Sequence, residues 1–281
     1  MIPIHLRYHI ESLERRVQTS NPQHPKIALF DLDNTLIIGD IGEAVFAQLL
    51  VDGVRLGCTW SEYEAFLRHD EAAAYRLVVE AMAGLSVRDV EKATLKVLND
   101  PTPYISIEDG CVPVPKPHTV MRELIFFLQN IGYSSYIISA SNQISVRIVS
   151  SMFFGIPESR VFGLFPKTID GTLTPTLQRP YPVSSGKVEV YRKFIHATSP
   201  FITASDSVVD APMLGLTDPI GLSIWVGKSR GSYRAMKERL RMPQQFCFVQ
   251  RPKYQSFRKS VRIFGEQEIT VPLFSPFLTE I

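Results

Sequence analysis

Leu6, Ile10, Leu13 and Val17 recur three and four residues apart, which places them on one face of a helix. Residues 1–20 are therefore predicted as a short amphipathic helix, ended by 21–25. Residues 26–30, KIALF, run apolar and stop abruptly at carboxylates, the pattern of a buried parallel strand with charged groups at its C-terminal tip. Helical periodicity returns from residue 41 to about 98 in GEAVFAQLL, WSEYEAFLR, EAAAYRLVVEAMAG and SVRDVEKATLKVL. Ser86, with Asp89 three residues on, predicts a helix start there, and Asp100-Pro101 a stop. This stretch reads as a helical insert, and 111–117, CVPVPKP, as the linker returning from it.

Beyond the linker the pattern alternates. Helix is expected over 118–131, closed by Gly132, strand over 136–141, helix over 144–154 and strand over 161–165. Asp170-Gly171 predicts a hairpin turn. Helix over 187–196 and strands over 201–204 and 222–226 complete the series. Strands alternating with helices imply an α/β fold on a parallel sheet with right-handed crossovers.

Composition narrows the function classes. The apolar fraction of 45% and charged fraction of 21% are those of an ordinary folded chain. A net charge of +2 is too small to imply a nucleic-acid partner. The positive charge gathers near the end, where Arg230, Arg234, Lys237, Arg239, Arg241, Arg251, Lys253, Arg258 and Lys259 face one acid, Glu238. That run is read as a solvated basic face, with a partner or membrane-surface patch as the alternative. Cys58, Cys111 and Cys247 are widely separated and form no CxxC pair, which suggests neither a disulfide framework nor a zinc site. Without a signal-peptide-like start or a long apolar run, the expectation is a soluble, cytoplasmic protein with no membrane partner. The apolar residues within 268–281 are expected to seal the core or form an interface, and the oligomeric state stays open.

Four elements carry candidate chemistry. Asp31-Leu32-Asp33-Asn34-Thr35 follows the first strand. Two carboxylates one residue apart at a strand end suit a magnesium ion, which needs hard oxygen ligands, and also suit a nucleophile beside an acid. Alone, such a pair is equally a structural or metal-only feature. Ser139-Ala140-Ser141 ends the second strand before a helix, where a hydroxyl and free N–H groups make a phosphate cradle, or simply a helix cap. Lys187 begins a later helix, placed to neutralise a nucleophile and a phosphate, or else to lie in solvent. Asp206 and Asp210 follow the third core strand. Asp206 would complete a metal shell, and Asp210 would support it from a helix start.

In their order along the chain, these four elements resemble the haloacid dehalogenase superfamily over roughly residues 26–226. The resemblance implies a Rossmann-like three-layer α/β/α core from residues 1–39 and 112–281, with an α-helical cap from 40–111. It implies a magnesium-dependent phosphatase that forms an aspartyl-phosphate on Asp31, with Asp33 as general acid and base. Ser139, Ala140, Lys187 and Asn34 would hold phosphate. Asp31, the Asp33 backbone carbonyl and Asp206 would bind Mg2+, with Asp210 in support. Ser205 stands where the family pattern has glycine. An acid at position 33 resembles the phosphatases rather than the dehalogenases, and IISAS, the hairpin and the helical cap look most like the phosphoserine and phosphorylcholine phosphatase subgroup.

The expected substrate is a small phosphorylated metabolite, with an amine-bearing one such as phosphoserine, phosphocholine or phosphoethanolamine as the finer expectation. Its readers would be Asp40 or Glu43, helped by Trp60 and Tyr63 on the aromatic face that Phe66 shares. Against this stand two plainer readings: Asp40 caps the helix at Ile41, and the aromatics pack the cap. Arg68, His69 and Arg147 are alternatives for a substrate carboxylate. A catalytically idle binding relative and a phosphotransferase to an acceptor alcohol are the competing functions.

Overall fold

A computed structural model of the chain describes residues 2–20, 22–107, 110–227, 231, 234, 237–238 and 245–250. The first helix, α1 (Ile4–Ser20), buries the four residues its periodicity marks, Leu6, Ile10, Leu13 and Val17. Next come strand β1 (Ile27–Phe30), the two-residue β2 (Ile37–Ile38), and helices α2 (Ile41–Val51), α3 (Trp60–His69), α4 (Glu71–Glu80) and α5 (Val87–Asn99). Strands β3 (Tyr104–Ile107), β4 (Gly110–Pro113) and β5 (Lys116–Pro117) lead back to helix α6 (Thr119–Asn130), strand β6 (Ser134–Asn142) and helix α7 (Gln143–Phe154). Strands β7 (Val161–Leu164), β8 (Pro166–Ile169) and β9 (Thr172–Leu177) precede α8 (Ser185–Val190). The remaining elements are β10 (Ile202–Ser205), α9 (Ala211–Leu214), β11 (Leu222–Gly227) and β12 (Gln245–Gln250).

Six strands form one parallel sheet in the order β12-β11-β10-β1-β6-β7. Successive side chains of a strand point to opposite faces, and β1 divides its residues accordingly. Ala28 and Phe30 join a large cluster with α1, α6 and α7, while Ile27 and Leu29 join a second with Val190 of α8, Tyr191 and Met213 of α9. Two helical layers therefore enclose a sheet buried on both faces, the α/β/α arrangement that the family resemblance implies, built on the parallel sheet that the alternating pattern predicts. Because β1 pairs with β10 on one side and β6 on the other, its C-terminal tip lies between theirs.

Local departures from the sequence expectations have simple causes. The linker expected over 111–117 is mostly strand: β3 and β4 form an antiparallel hairpin, and β5 pairs with β2 where the chain leaves and rejoins the sheet region. Proline is tolerated on edge strands with no ladder N–H to give, so Pro113 and Pro117 conceal these pairings. The helix expected over 187–196 runs only to Val190 before a wider turn over Tyr191–Ile195. Strand β12 was not foreseen, because its six residues lie inside the basic run. Of that run, Arg234 and Lys237 are described and exposed, with Glu238. Arg230, Arg239, Arg241, Arg251, Lys253, Arg258 and Lys259 lie outside the described residues, as does 268–281. Among the described residues, no helix is long and apolar enough to cross a membrane.

Candidate functional site

The tips of β1, β6 and β10 open into one cavity of about 270 Å³, lined by Asp31, Asp33, Asn34, Asp40, Glu71, Tyr75, Ala140, Ser141, Val183, Ser184, Lys187, Asp206, Ser207, Val208, Val209, Asp210 and Trp225. Carboxyl-end crevices of this kind are where open α/β sheets bind ligands. The chain turns back immediately after β1: Asn34, at φ 58°, donates its N–H to the Gly39 carbonyl at 3.0 Å. Asparagine tolerates that left-handed conformation better than most residues.

Lys187 is almost wholly buried and gives its ammonium to two carboxylates, Asp31 Oδ1 at 2.7 Å and Asp210 Oδ2 at 2.8 Å. It is therefore no solvated surface lysine. Burial opposes its charge, but Asp210 and Asp31 outweigh burial and raise its pKa above the ordinary lysine value. Its helix can start so close to the preceding loop because residue 186 is glycine. A Cβ there would collide with the Tyr181 carbonyl.

The other oxygen of Asp31 accepts from Thr35 Oγ1 at 2.9 Å. Burial raises the Asp31 carboxyl well above the ordinary range, Lys187 pulls it down, and Asp210, Asp206 and Asp33 push it up again. Asp33 is turned the other way. Its Oδ1 accepts from the Ile41 N–H at 2.8 Å, and its Oδ2 from the hydroxyls of Ser139 and Ser141, each at 2.8 Å. Burial raises this carboxyl too, against the lowering effect of those hydrogen bonds. The two serines reach one oxygen because residues two apart in β6 share a face. Gly42 lets α2 close against them, since a Cβ there would stand 2.8 Å from Ser141 Oγ.

Oxygen donors suited to a hard cation are present. Thr35 Oγ1 lies 2.9 Å from Asp31 Oδ2 and 3.3 Å from Asp206 Oδ1, so the two carboxylates flank a single hydroxyl. Among the described residues no three His, Cys, Asp or Glu side chains gather to hold a metal by themselves. Magnesium commonly takes one or two carboxylates and keeps several waters, so this pair fits it. Asp210 accepts from Ser205 Oγ at 2.8 Å as well as from Lys187. The serine that replaces the expected glycine thus supports the buried acid.

Of the residues marked from sequence, Asp31, Asp33, Asn34, Ala140, Lys187, Asp206, Asp210 and Asp40 line this one cavity. Ser139 does not: it is fully buried, and its hydroxyl is spent on Asp33, while Ser141 reaches the cavity. Asp40 does cap α2, accepting from the Glu43 N–H at 2.8 Å, and also lines the cavity. The aromatic face lies away from this cavity. Tyr63 is buried with its hydroxyl on Glu43 at 2.6 Å, Trp60 stacks on Phe46 and borders a different cavity, and Phe66 is exposed. Glu43 is taken up in that buried contact. Arg147 pairs with Glu158 at 3.7 Å, and neither it nor Arg68 nor His69 borders the Asp31 cavity. Sequence reasoning missed Thr35, Glu71, Tyr75 and Trp225. Thr35 stood inside the quoted motif, and Glu71 and Tyr75 sit one helical turn apart, a spacing that signals a shared face but not which way it points.

The model of the family described as haloacid dehalogenase-like hydrolase matches residues 28–215. Among solved structures, a protein of unknown function from Anaerococcus prevotii is 19% identical with TM-score 0.58, over 82% of this chain and 86% of its own. A phosphoserine phosphatase described as a phospho-aspartyl intermediate analogue is 20% identical with TM-score 0.53, over 82% and 95%. A substrate-bound phosphoserine phosphatase complex is 19% identical with the same TM-score and coverages. At these identities the likeness is one of fold. No curated protein sequence matches the chain.

Proposed function

Because the chain belongs to the haloacid dehalogenase-like hydrolase family, we propose that it is a magnesium-dependent phosphatase that hydrolyses a small phosphate monoester through an aspartyl-phosphate on Asp31. The observation that carries this reading is the Asp31 carboxylate. It is held on one oxygen by Lys187 and on the other by Thr35, inside a cavity it shares with a second, separately tethered acid. Residues 40–111 are taken as a cap on a core of 1–39 and 112–281.

Asp31, Asp206 and the Asp33 backbone carbonyl would hold the Mg2+. When bound, the ion would offset their mutual repulsion and draw charge from a transferring phosphoryl group. Asn34, Ala140, Ser141 and Lys187 would position the phosphate, with Ser139 acting through Asp33. Asp31 attacks phosphorus, and the bond from phosphorus to the ester oxygen breaks while Asp33 gives its proton to the departing alcohol. Asp33, now ionised, takes a proton from water. That water attacks the aspartyl-phosphate, breaks its link to Asp31 and frees phosphate. An acid that keeps its proton at higher pH than usual suits the first of these tasks, and the raised Asp33 carboxyl has that property. The amine-bearing substrate expected from the resemblance finds support in Asp40 at the cavity wall.

Phosphate release measured with magnesium against a panel of esters tests the proposal, the panel covering phosphoserine, phosphocholine, sugar phosphates and nucleotides. Asp31→Asn is expected to lower release by a thousandfold or more, on the order of what loss of a nucleophile costs. Substantial turnover by Asp31→Asn would refute the assignment.

A further inference from the structure

Glu71 and Tyr75 stand one turn apart on α4, and both line the cavity that holds Asp31. The Tyr75 hydroxyl donates to Glu71 Oε1 at 2.8 Å, which ties a carboxylate and an aromatic ring together. Asp40 reaches the same cavity from the start of α2. Burial first, then the charges of Asp40, Glu71 and Glu43, raise the Tyr75 phenol well above its ordinary pKa, so this wall is electronegative around an un-ionised tyrosine. The opposite requirement holds at the catalytic end, where the Lys187 ammonium is already shared between Asp31 and Asp210.

We propose that the hydrogen-bonded Glu71–Tyr75 pair, facing the cavity beside Asp40, determines specificity by reading a cationic ammonium group on the alcohol part of the substrate. The inference rests on the phosphatase reading above and deepens it. A phosphate seated at Asp31 leaves its ester oxygen and attached alcohol to fill the rest of a cavity of about 270 Å³, which suits a small metabolite. A carboxylate attracts a nearby cation strongly where water is scarce, and a tyrosine ring adds attraction for an ammonium at its face. An alcohol bearing a carboxylate or second phosphate would meet like charge on this wall.

The test compares kcat/KM for phosphocholine with that for dimethylbutyl phosphate, its neutral isostere with carbon in place of nitrogen, in the wild type and in Glu71→Gln. The wild type is expected to prefer phosphocholine, and Glu71→Gln to reduce the ratio on the order of tenfold. Tyr75→Phe unties the carboxylate without removing it, so a smaller reduction is expected. Equal rates for the two isosteres, an unchanged ratio in Glu71→Gln, or a preference for hexose phosphates would overturn the proposal while leaving the phosphatase reading intact. Calorimetric binding of phosphocholine to Asp31→Asn, with and without Glu71→Gln, separates the two. Binding that depends on Glu71, alongside a wild type that hydrolyses no ester, sinks the hydrolase and upholds the reader, and binding indifferent to Glu71 sinks the reader.

Discussion

Lys187 is the residue on which the buried charges depend. Removing it as Lys187→Met leaves Asp31 and Asp210 buried side by side with no cation between them. Breaking a buried pair in this way typically costs about 3–5 kcal/mol, and urea denaturation is expected to show a loss of that size together with loss of phosphate release. Asp33 gives a pH signature. Its folded pKa lies above the ordinary 3.8, chiefly through burial, so the folded protein binds this proton more tightly than the unfolded chain. The stability it contributes is complete below pH 3.8 and is lost as pH rises through the raised folded value. In metal-free buffer, the unfolding free energy of the wild type relative to Asp33→Asn is expected to decline over that window. A difference that stays flat or rises would mean that burial does not govern this carboxyl. Both residues were visible in the sequence, but the use of Ser139 to tether Asp33, rather than to face the cavity, was not, because spacing alone does not say which partner a hydroxyl takes.

At the scale of elements, α2 and α3 show where periodicity is silent. The stripe of Trp60, Tyr63 and Phe66 correctly marks a helix, and Thr59 with Glu62 closes its start as a capping box. Yet the stripe is divided among the core, a second cavity and solvent. Tyr63 ties α3 to α2 through buried Glu43. Tyr63→Phe is therefore expected to cost about 1–3 kcal/mol, since it strips a hydrogen bond from a buried carboxylate. Thermal denaturation would register that cost, while the preference between phosphocholine and its neutral isostere should not change. A changed preference would bring α3 back to the substrate. Helix α4 is the converse case: Glu71 and Tyr75 drew no attention in the sequence beyond their helical stretch, and only packing turns them to the cavity.

For the whole molecule, the parallel sheet brings to one rim residues as distant in sequence as Asp31 and Asp206. A cation between those two carboxylates would bind the folded state alone, and so stabilise it by mass action. Chelation is expected to abolish phosphate release, added Mg2+ to restore it, and Mg2+ to raise the melting temperature of the chelated protein. Release that persists through thorough chelation would remove the metal from the mechanism. The α/β class, the strand that leads into Asp31, the helix face of α1, the ends of α5 and the order of the candidate motifs were all set by the sequence itself, because periodicity and strand-end chemistry are local properties. Strand β12, the β3–β4 hairpin, the burial of Lys187 between two acids, and the choice of α4 over α3 as a wall of the cavity were decided only by tertiary packing. Strand pairing, and the direction in which a helix face points, depend on partners far along the chain that no local window contains.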